Sequence, residues 1–317
     1  MTKITFNQFA LTTVIILIFT LGSAAATLDN PQDSMSWYNK GNALNKLNKL
    51  SEAIKAYDKA IEINSQYSKA WKNKGNALTK LNKFDEAITE FDKAIEINPQ
   101  NSNVWKNKGI ALTKLNKSEE AVAAFNKAIE INPQNSNVWK NKGIALTKLN
   151  KFDEAITIFG KAIKINPHNS NAWMIKGLAL DALNKSDEAI TAYDKAIEIN
   201  PKDSIAWYGK GSALADLNKS DEAIIAYDKA IEINPHNPYF WDGKGDVLTK
   251  LNKSDEAITA YDKAIEINPK DENAWDCKGL ALTKLNKSDE AIKVFDKAIE
   301  NNPKDSIALE GKGTLSK

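Results

Sequence analysis

The sequence contains no arginine, a single cysteine and only two histidines among 317 residues. All 43 of its basic side chains are therefore lysines, and 41 acidic side chains balance them. Nucleic-acid binding relies on a basic excess and on arginine, which reads guanine edges and clamps phosphates with two hydrogen bonds. The sequence therefore predicts no nucleic-acid partner. Because Cys277 has no second cysteine to pair with, the fold must be stable without an internal disulfide.

The first 26 residues differ in composition from the rest. Lys3 precedes the apolar run FALTTVIILIFTLG (9–22), and the small residues SAAA (23–26) follow. This order is typical of a secretory signal peptide. The alternative is an uncleaved N-terminal anchor, for which the apolar stretch is short. We predict a signal peptide or anchor at 1–26, a linker at 27–33, and an extracytoplasmic protein that is secreted or held at the outer face of the membrane. Membrane contact is expected only through this segment, if it is uncleaved.

The rest of the chain repeats every 34 residues. All eight tryptophans follow this spacing, from Trp37 to Trp275, and each is followed four residues later by glycine. An alanine comes 16 residues after each tryptophan, and a tyrosine or phenylalanine comes 20 after it. The period defines eight units over 34–305. We interpret the segment 306–317 as a partial C-terminal capping helix, because an array must cover the apolar face of its last unit.

Each unit reads as two helices. The first stops at Asn-Lys, where asparagine can adopt the left-handed conformation that ends a helix. We expect the second to begin with serine as N-cap followed by acids, as in Ser186-Asp187-Glu188. A glycine inside a helix lowers its stability, so its recurrence predicts close approach of the partner helix, with small alanines opposite and aromatic rings around them.

These residues resemble the tetratricopeptide repeat family, with Trp at repeat position 4, Gly at 8, Ala at 20, an aromatic at 24, Ala at 27 and Pro at 32. The resemblance implies an all-α fold, a right-handed superhelical α-solenoid of stacked antiparallel helix pairs. Two positions depart from the family pattern. Position 7, usually apolar, is lysine in every unit, which predicts a less apolar rim, and position 15, usually glycine, is asparagine.

The resemblance also implies that first helices line a concave groove through positions 2, 5, 6, 9 and 12. In this chain we expect the groove to run from basic through apolar to acidic. The candidate binding residues are Lys72, Asn76, Lys106, Asn107, Lys140, Asn141, Met174, Leu178, Ile205, Tyr208, Tyr239, Asp242, Asp246 and Asp276. Neutral drift of a solvated surface is the alternative. Some family members grip a C-terminal carboxylate at such positions, but only Lys72, Asn76 and Asn107 match that pattern here.

The sequence leaves no segment for a catalytic domain, and we predict a non-catalytic scaffold that binds proteins or peptide segments, with no cofactor and no metal. His168 and His236 are interpreted as loop residues, and Cys277 as a packing or groove thiol. The alternatives are a structural or carbohydrate-binding surface component, in which Tyr208 and Tyr239 would stack on sugars, and the repeat arm of a larger enzyme complex. Self-association stays open.

Five Asn-Lys-Ser sequons lie at the turn between the two helices of a unit. They are Asn116, Asn184, Asn218, Asn252 and Asn286. A helix-ending asparagine followed by a capping serine explains the motif without modification. In an exported protein whose host has the machinery, the same turns would accept glycans.

Overall fold

The computed structural model describes residues 33–315, which form seventeen α-helices and no strand. The helices, numbered here in chain order, are α1 Ser34–Lys46, α2 Leu50–Ile63, α3 Ser68–Lys80, α4 Phe84–Ile97, α5 Ser102–Lys114, α6 Ser118–Ile131, α7 Ser136–Lys148, α8 Phe152–Ile165, α9 Ser170–Asp181, α10 Ser186–Ile199, α11 Ser204–Asp216, α12 Ser220–Ile233, α13 Pro238–Lys250, α14 Ser254–Ile267, α15 Glu272–Lys284, α16 Ser288–Asn301 and α17 Ser306–Leu315. The predicted signal peptide and nearly all of the linker lie outside the described residues. Within 33–315, no helix combines the length and apolar character needed to span a membrane.

The chain divides into two compact units, one ending at Leu149 and the other beginning at Asn150. The N-terminal unit contains α1–α7, and the C-terminal unit contains α8–α17. In each unit, helices that follow one another in sequence pack against each other, and first helices of adjacent repeats also touch. The prediction of an all-α solenoid built from stacked helix pairs is therefore confirmed within each unit.

The turns between paired helices agree with the prediction for the end of the first helix and differ from it for the start of the second. The asparagine at position 15 has a positive φ in all eight repeats, between 56° and 60°. The serine at the start of the second helix, however, is not its N-cap. In α10 the cap residue is Lys185, which makes no side-chain capping bond, and Ser186 is the first helical residue. Ser186 is almost fully buried, so packing rather than capping accounts for it.

The glycine at position 8 lies beneath the aromatic ring at position 24 of the same repeat. A Cβ atom on Gly109 would lie 2.6 Å from the Phe125 ring, and one on Gly245 would lie 2.6 Å from the Tyr261 ring. The rings themselves are buried among the alanines of positions 20 and 27. The glycine therefore leaves room for a ring, whereas the sequence argument had placed small alanines opposite it.

The position-7 lysine and the tryptophan join neighbouring repeats. In the C-terminal unit, Lys210 lies over the Trp207 ring and pairs with Asp194 of the preceding repeat at 2.7 Å. The Trp207 indole donates to the carbonyl of Pro201, which fixes the loop between repeats. The Lys210 side chain is only 24% exposed, because its stem lies against the indole while its ammonium group pairs with the aspartate.

Candidate functional site

The first helices of the N-terminal unit present a basic surface, formed by Lys72, Lys106 and Lys140 at position 5. All three side chains are half-buried. Burial lowers the pKa of Lys106 and of Lys140 below the ordinary value for an ammonium group, and the charge of Lys72 contributes at Lys106. Lys106 Nζ donates to Asn103 at 3.3 Å, a neutral acceptor. These partly desolvated cations favour an anionic ligand.

Asparagines beside the basic surface bond to one another from repeat to repeat. Asn107 Nδ2 donates to Asn76 Oδ1 at 2.6 Å, and Asn73 makes the equivalent bond to Asn42. Asn76 and Asn107 therefore form part of the scaffold as well as of the surface. Asn141, one repeat further, lines a small cavity of about 190 Å³ together with Ile110 and Ile144. This arrangement brings the candidate residues of the N-terminal unit onto one surface.

The apolar candidates of the C-terminal unit divide into exposed and packed side chains. Tyr239, Leu178 and Ile205 are exposed, at 63%, 41% and 38%. Met174 instead packs against the core cluster around Tyr193. Tyr208 stacks on Phe240, with ring centroids 5.2 Å apart. Only part of the predicted apolar stretch is thus available to a ligand.

A larger cavity, the acidic pocket, lies between α11, α13 and the start of α15. Its volume is about 370 Å³, and Asp216, Asp242, Asp246, Asp271, Lys250, Tyr208, Tyr227 and Tyr239 contribute to its lining. Asp246 accepts a hydrogen bond of 2.9 Å from the hydroxyl of Tyr261. Although the Asp246 side chain is exposed, surrounding protein atoms partly desolvate its carboxyl group and raise its pKa, while the hydrogen bonds from Tyr261 and Cys277 oppose the increase. The pocket therefore combines carboxyl groups with tyrosine rings.

Two aspartates that the sequence placed on an open groove are buried. Asp242 is 7% exposed and Asp276 is 6% exposed, and one carboxyl oxygen of each has no hydrogen-bond partner. Burial, with the nearby charge and hydrogen bond of Asp271, raises the pKa of Asp242 to about 7. Burial and Asp305 do the same for Asp276, to about 7. Asp242 lines the acidic pocket, whereas Asp276 does not.

The acidic character also begins earlier than the sequence analysis placed it. Asp181 accepts a 2.6 Å hydrogen bond from the Tyr193 hydroxyl, and burial raises the pKa of Asp181 to about 6. Asp181 stands at position 12, where five of the eight repeats carry threonine, and Asp216 at position 13, where six carry lysine. These departures from the repeat were the signal that could have identified them. Nothing in the sequence indicated that Asp271 lines a pocket, because an aspartate directly before a helix is expected to be its N-cap.

The remaining predicted features are the sequon asparagines, the two histidines and Cys277. The five sequon asparagines are exposed at their turns, and the side-chain oxygen of Asn116 accepts a hydrogen bond from Lys148. His168 and His236 are exposed in loops, and Cys277 is half-buried beside the Trp241 cluster. Among residues 33–315, no group of three or more His, Cys, Asp or Glu side chains could hold a metal ion.

Comparison with known proteins agrees with this architecture. Models described as Tetratricopeptide repeat match residues 34–67, 68–101, 102–135, 140–204, 179–238, 226–259 and 272–305, and one described as TPR repeat matches 245–286. No curated protein sequence matches the chain.

Solved structures resemble the chain over different lengths. The MamA protein is 28% identical over 54% of this chain and 94% of its own, with a TM-score of 0.51. YrrB, described as a TPR protein with an unusual peptide-binding site, is 26% identical over 58% of this chain and 95% of its own, with a TM-score of 0.50. Pseudomonas aeruginosa pilF, at 16% identity over 67% of this chain and 97% of its own, has a TM-score of 0.59 and supports the fold alone. The family models and the repeating helix pairs together show that the chain belongs to the tetratricopeptide repeat family.

Proposed function

We propose that this protein is a non-catalytic scaffold that binds extended peptide segments of partner proteins on the surfaces formed by its first helices. The observation that carries the proposal is where the chain varies. The core positions repeat with little change through both units, whereas the partly exposed first-helix residues change from Lys72, Lys106 and Lys140 in the N-terminal unit to Leu178, Ile205 and Tyr239 in the C-terminal unit. A surface whose chemistry changes over an unchanged core is what ligand selection requires.

The cavities on these surfaces support the same proposal. Both the 190 Å³ cavity and the acidic pocket lie among first-helix residues, with contributions from the aromatic at position 24. The peptide-binding site named for YrrB supports a peptide ligand for a protein of this architecture. Recognition of a peptide by pockets along a groove needs no catalytic group.

Two exposed apolar residues in the C-terminal unit provide a matched test. Tyr239 lies on first helix α13 and is 63% exposed, whereas Ile225 lies on second helix α12 and is 62% exposed. Peptides selected from a displayed library against the intact protein should bind more weakly to Tyr239→Ser and equally well to Ile225→Ser. Weakening by Ile225→Ser alone would contradict the proposal. Binding of the protein to a glycan array, with no peptide selected from the library, would support the carbohydrate alternative.

We also propose that the protein is exported, because residues 1–26 have the composition of a secretory signal. Mass spectrometry of the protein from its native host, after separation of cytoplasmic and extracytoplasmic fractions, tests this. A mature N-terminus near residue 27 in the extracytoplasmic fraction is the expected result. A chain found only in the cytoplasm would contradict export, and its proposed binding surfaces would be unaffected.

A further inference from the structure

The acidic pocket is not electrostatically neutral. Four carboxyl groups line it, those of Asp216, Asp242, Asp246 and Asp271, against the single ammonium group of Lys250. Elsewhere on the C-terminal unit, acidic side chains are commonly paired with lysine, as Asp228 is with Lys244 at 2.6 Å. The pocket therefore concentrates negative charge that the surrounding side chains leave largely uncompensated, which favours a cation.

Asp242 is the residue that points most directly to a ligand. It is more than nine-tenths buried and lines the pocket, and its Oδ1 atom has no hydrogen-bond partner. Buried carboxyl groups are normally hydrogen-bonded, because an unpaired one is costly. The charges of Asp271 and Asp246 raise the pKa of Asp242 further, and the hydrogen bond with Asp271 also favours the neutral acid, so neither neighbour compensates the ionised carboxylate. A cationic group that entered the pocket would supply the missing partner.

The walls of the pocket indicate what carries the cation. Tyr208, Tyr227 and Tyr239 contribute aromatic surface beside the carboxyl groups. Aromatic faces attract cations and also cover the apolar stem of a long side chain. Tyr239 is exposed at the edge of the pocket, so its ring can also contact the ligand residues on either side of the cationic one. A single bare metal ion would make no use of these rings.

We propose that the acidic pocket binds a lysine or arginine side chain of an extended peptide, with the cationic group at Asp242 and Asp246 and the stem along Tyr208 and Tyr239. This inference rests on the proposed function, because it specifies the peptide class that the C-terminal unit selects. It predicts a preference that the N-terminal unit does not share, since Lys72, Lys106 and Lys140 would repel the same side chain.

The test uses the intact protein and a displayed peptide library whose central position is Lys, Arg, Glu or Ala, at pH 8, where Asp242 is ionised. The expected binders to the C-terminal unit carry Lys or Arg. A selected lysine peptide is then compared with the same peptide carrying Nε-acetyl-lysine, which keeps the stem and removes the charge. We expect acetylation to weaken binding about tenfold to a hundredfold, as for loss of a charge-assisted hydrogen bond.

Variants locate the effect. The double variant Asp242→Asn/Asp246→Asn should bind the unmodified peptide as weakly as the parent binds the acetylated one, with no further loss on acetylation. Lys250→Met, which removes the competing cation, should strengthen binding. Asp221→Asn, at an exposed site on α12, is the charge control and should have no effect. Thermal melts verify that each variant is folded.

The outcomes separate this inference from the proposed function. Peptides that bind the first-helix surface but tolerate acetylation, or that keep full affinity for the double variant, would overturn the assignment of the pocket and leave peptide binding intact. A loss of affinity in Lys250→Met would also count against it. Failure of every peptide to bind would overturn both.

Discussion

The two units have the same core and opposite surfaces. In the N-terminal unit, α3, α5 and α7 carry lysine at position 5, beside asparagine and isoleucine. In the C-terminal unit the same position holds Met174, Tyr208, Asp242 and Asp276. The glycine at position 8 nevertheless lies under an aromatic ring in both units. Because Met174 is packed and Asp276 is buried, the ligand chemistry of the C-terminal unit depends on the acidic pocket and on exposed residues such as Tyr239 rather than on position 5 alone.

The aromatic at position 24 is a tyrosine in some repeats of each unit and a phenylalanine in others. In the N-terminal unit Phe91 and Phe125 end without a polar group, whereas the Tyr57 hydroxyl donates to the neutral Asn42 at 3.0 Å. In the C-terminal unit the hydroxyls of Tyr193 and Tyr261 donate to Asp181 and Asp246, whereas Phe159 and Phe295 carry no hydroxyl. These hydroxyls hold acidic side chains in place from below. Tyr193 and Tyr261 thus support two carboxyl groups of the C-terminal unit from the core.

The largest expected effect tests whether the two cores are equivalent. Phe125→Ala and Tyr261→Ala each remove a fully buried ring, and each should lower the free energy of unfolding of its unit by about 3–5 kcal/mol. Tyr261→Phe, which keeps the ring, should cost only about 1 kcal/mol. Amide hydrogen exchange in the flanking helices measures the change repeat by repeat. Equal protection in parent and Phe125→Ala would contradict the role of the ring.

The next predicted effect is the pH dependence of stability, which should differ between Asp242 and Lys106 because the two side chains carry opposite charges at position 5. Because the pKa of Asp242 is raised to about 7, the folded state retains a proton that the unfolded chain releases near pH 4. Stability should therefore fall as pH rises from about 4 to 7 and stay reduced above 7. Asp242→Asn should be about 2–4 kcal/mol more stable than the parent at pH 8, and equal to it at pH 4. Urea denaturation at the two pH values measures this difference.

Lys106 should behave in the opposite sense. Burial lowers its pKa, so the folded state binds fewer protons than the unfolded chain, and stability rises as pH increases toward the ordinary lysine range. Lys106→Met should therefore stabilise the protein at pH 7 and lose this advantage at higher pH. Asp221→Asn, which is exposed, is the control for both variants and should show neither trend. An identical pH profile for Asp242→Asn and Lys106→Met would show that position 5 does not distinguish the units.

The smallest effect concerns a repeat that lacks one inter-repeat ion pair. Position 25 is aspartate in most repeats but glycine at Gly160, inside α8, and a Cβ there would meet no atom within 4 Å. Gly160→Ala should stabilise the C-terminal unit by about 0.5–1 kcal/mol through helix propensity. Gly160→Asp should add a pair with Lys176 like that of Lys210 with Asp194. A double-mutant cycle with Lys176→Met should give about 0.5 kcal/mol of coupling, reduced by salt.

The sequence was sufficient for features that depend on the period. Trp37 to Trp275, the glycines and the position-15 asparagines predicted the helix pairs and their turns, because each is set by residues close in sequence. The prediction that serine is the N-cap of the second helix was wrong, because Ser186 is buried and Lys185 occupies the cap position. Features that depend on contacts between different helices could not be predicted from the sequence. The raised pKa of Asp242 depends on its burial among packed helices and on the charge of Asp271, which lies 29 residues later.

The position-7 lysines show the same limit. In isolation, Lys210 indicates a polar surface, and its contacts with Trp207 and Asp194 become visible only when two repeats are stacked. The distinction between exposed Tyr239 and packed Met174 likewise depends on neighbouring helices. Chemistry at the surface was readable from residue type, whereas burial at the surface was not.

The most direct test of the account is to map where a bound peptide lies. A selected lysine peptide carrying a photoreactive benzophenone next to the lysine would be crosslinked to the intact protein and the attachment sites identified by mass spectrometry. We predict crosslinks on α11, α13 and α15, lost in Asp242→Asn/Asp246→Asn and retained in Ile225→Ser. Crosslinks confined to the second helices α12 and α14 would contradict the claim that the variable faces of the first helices bind the ligand.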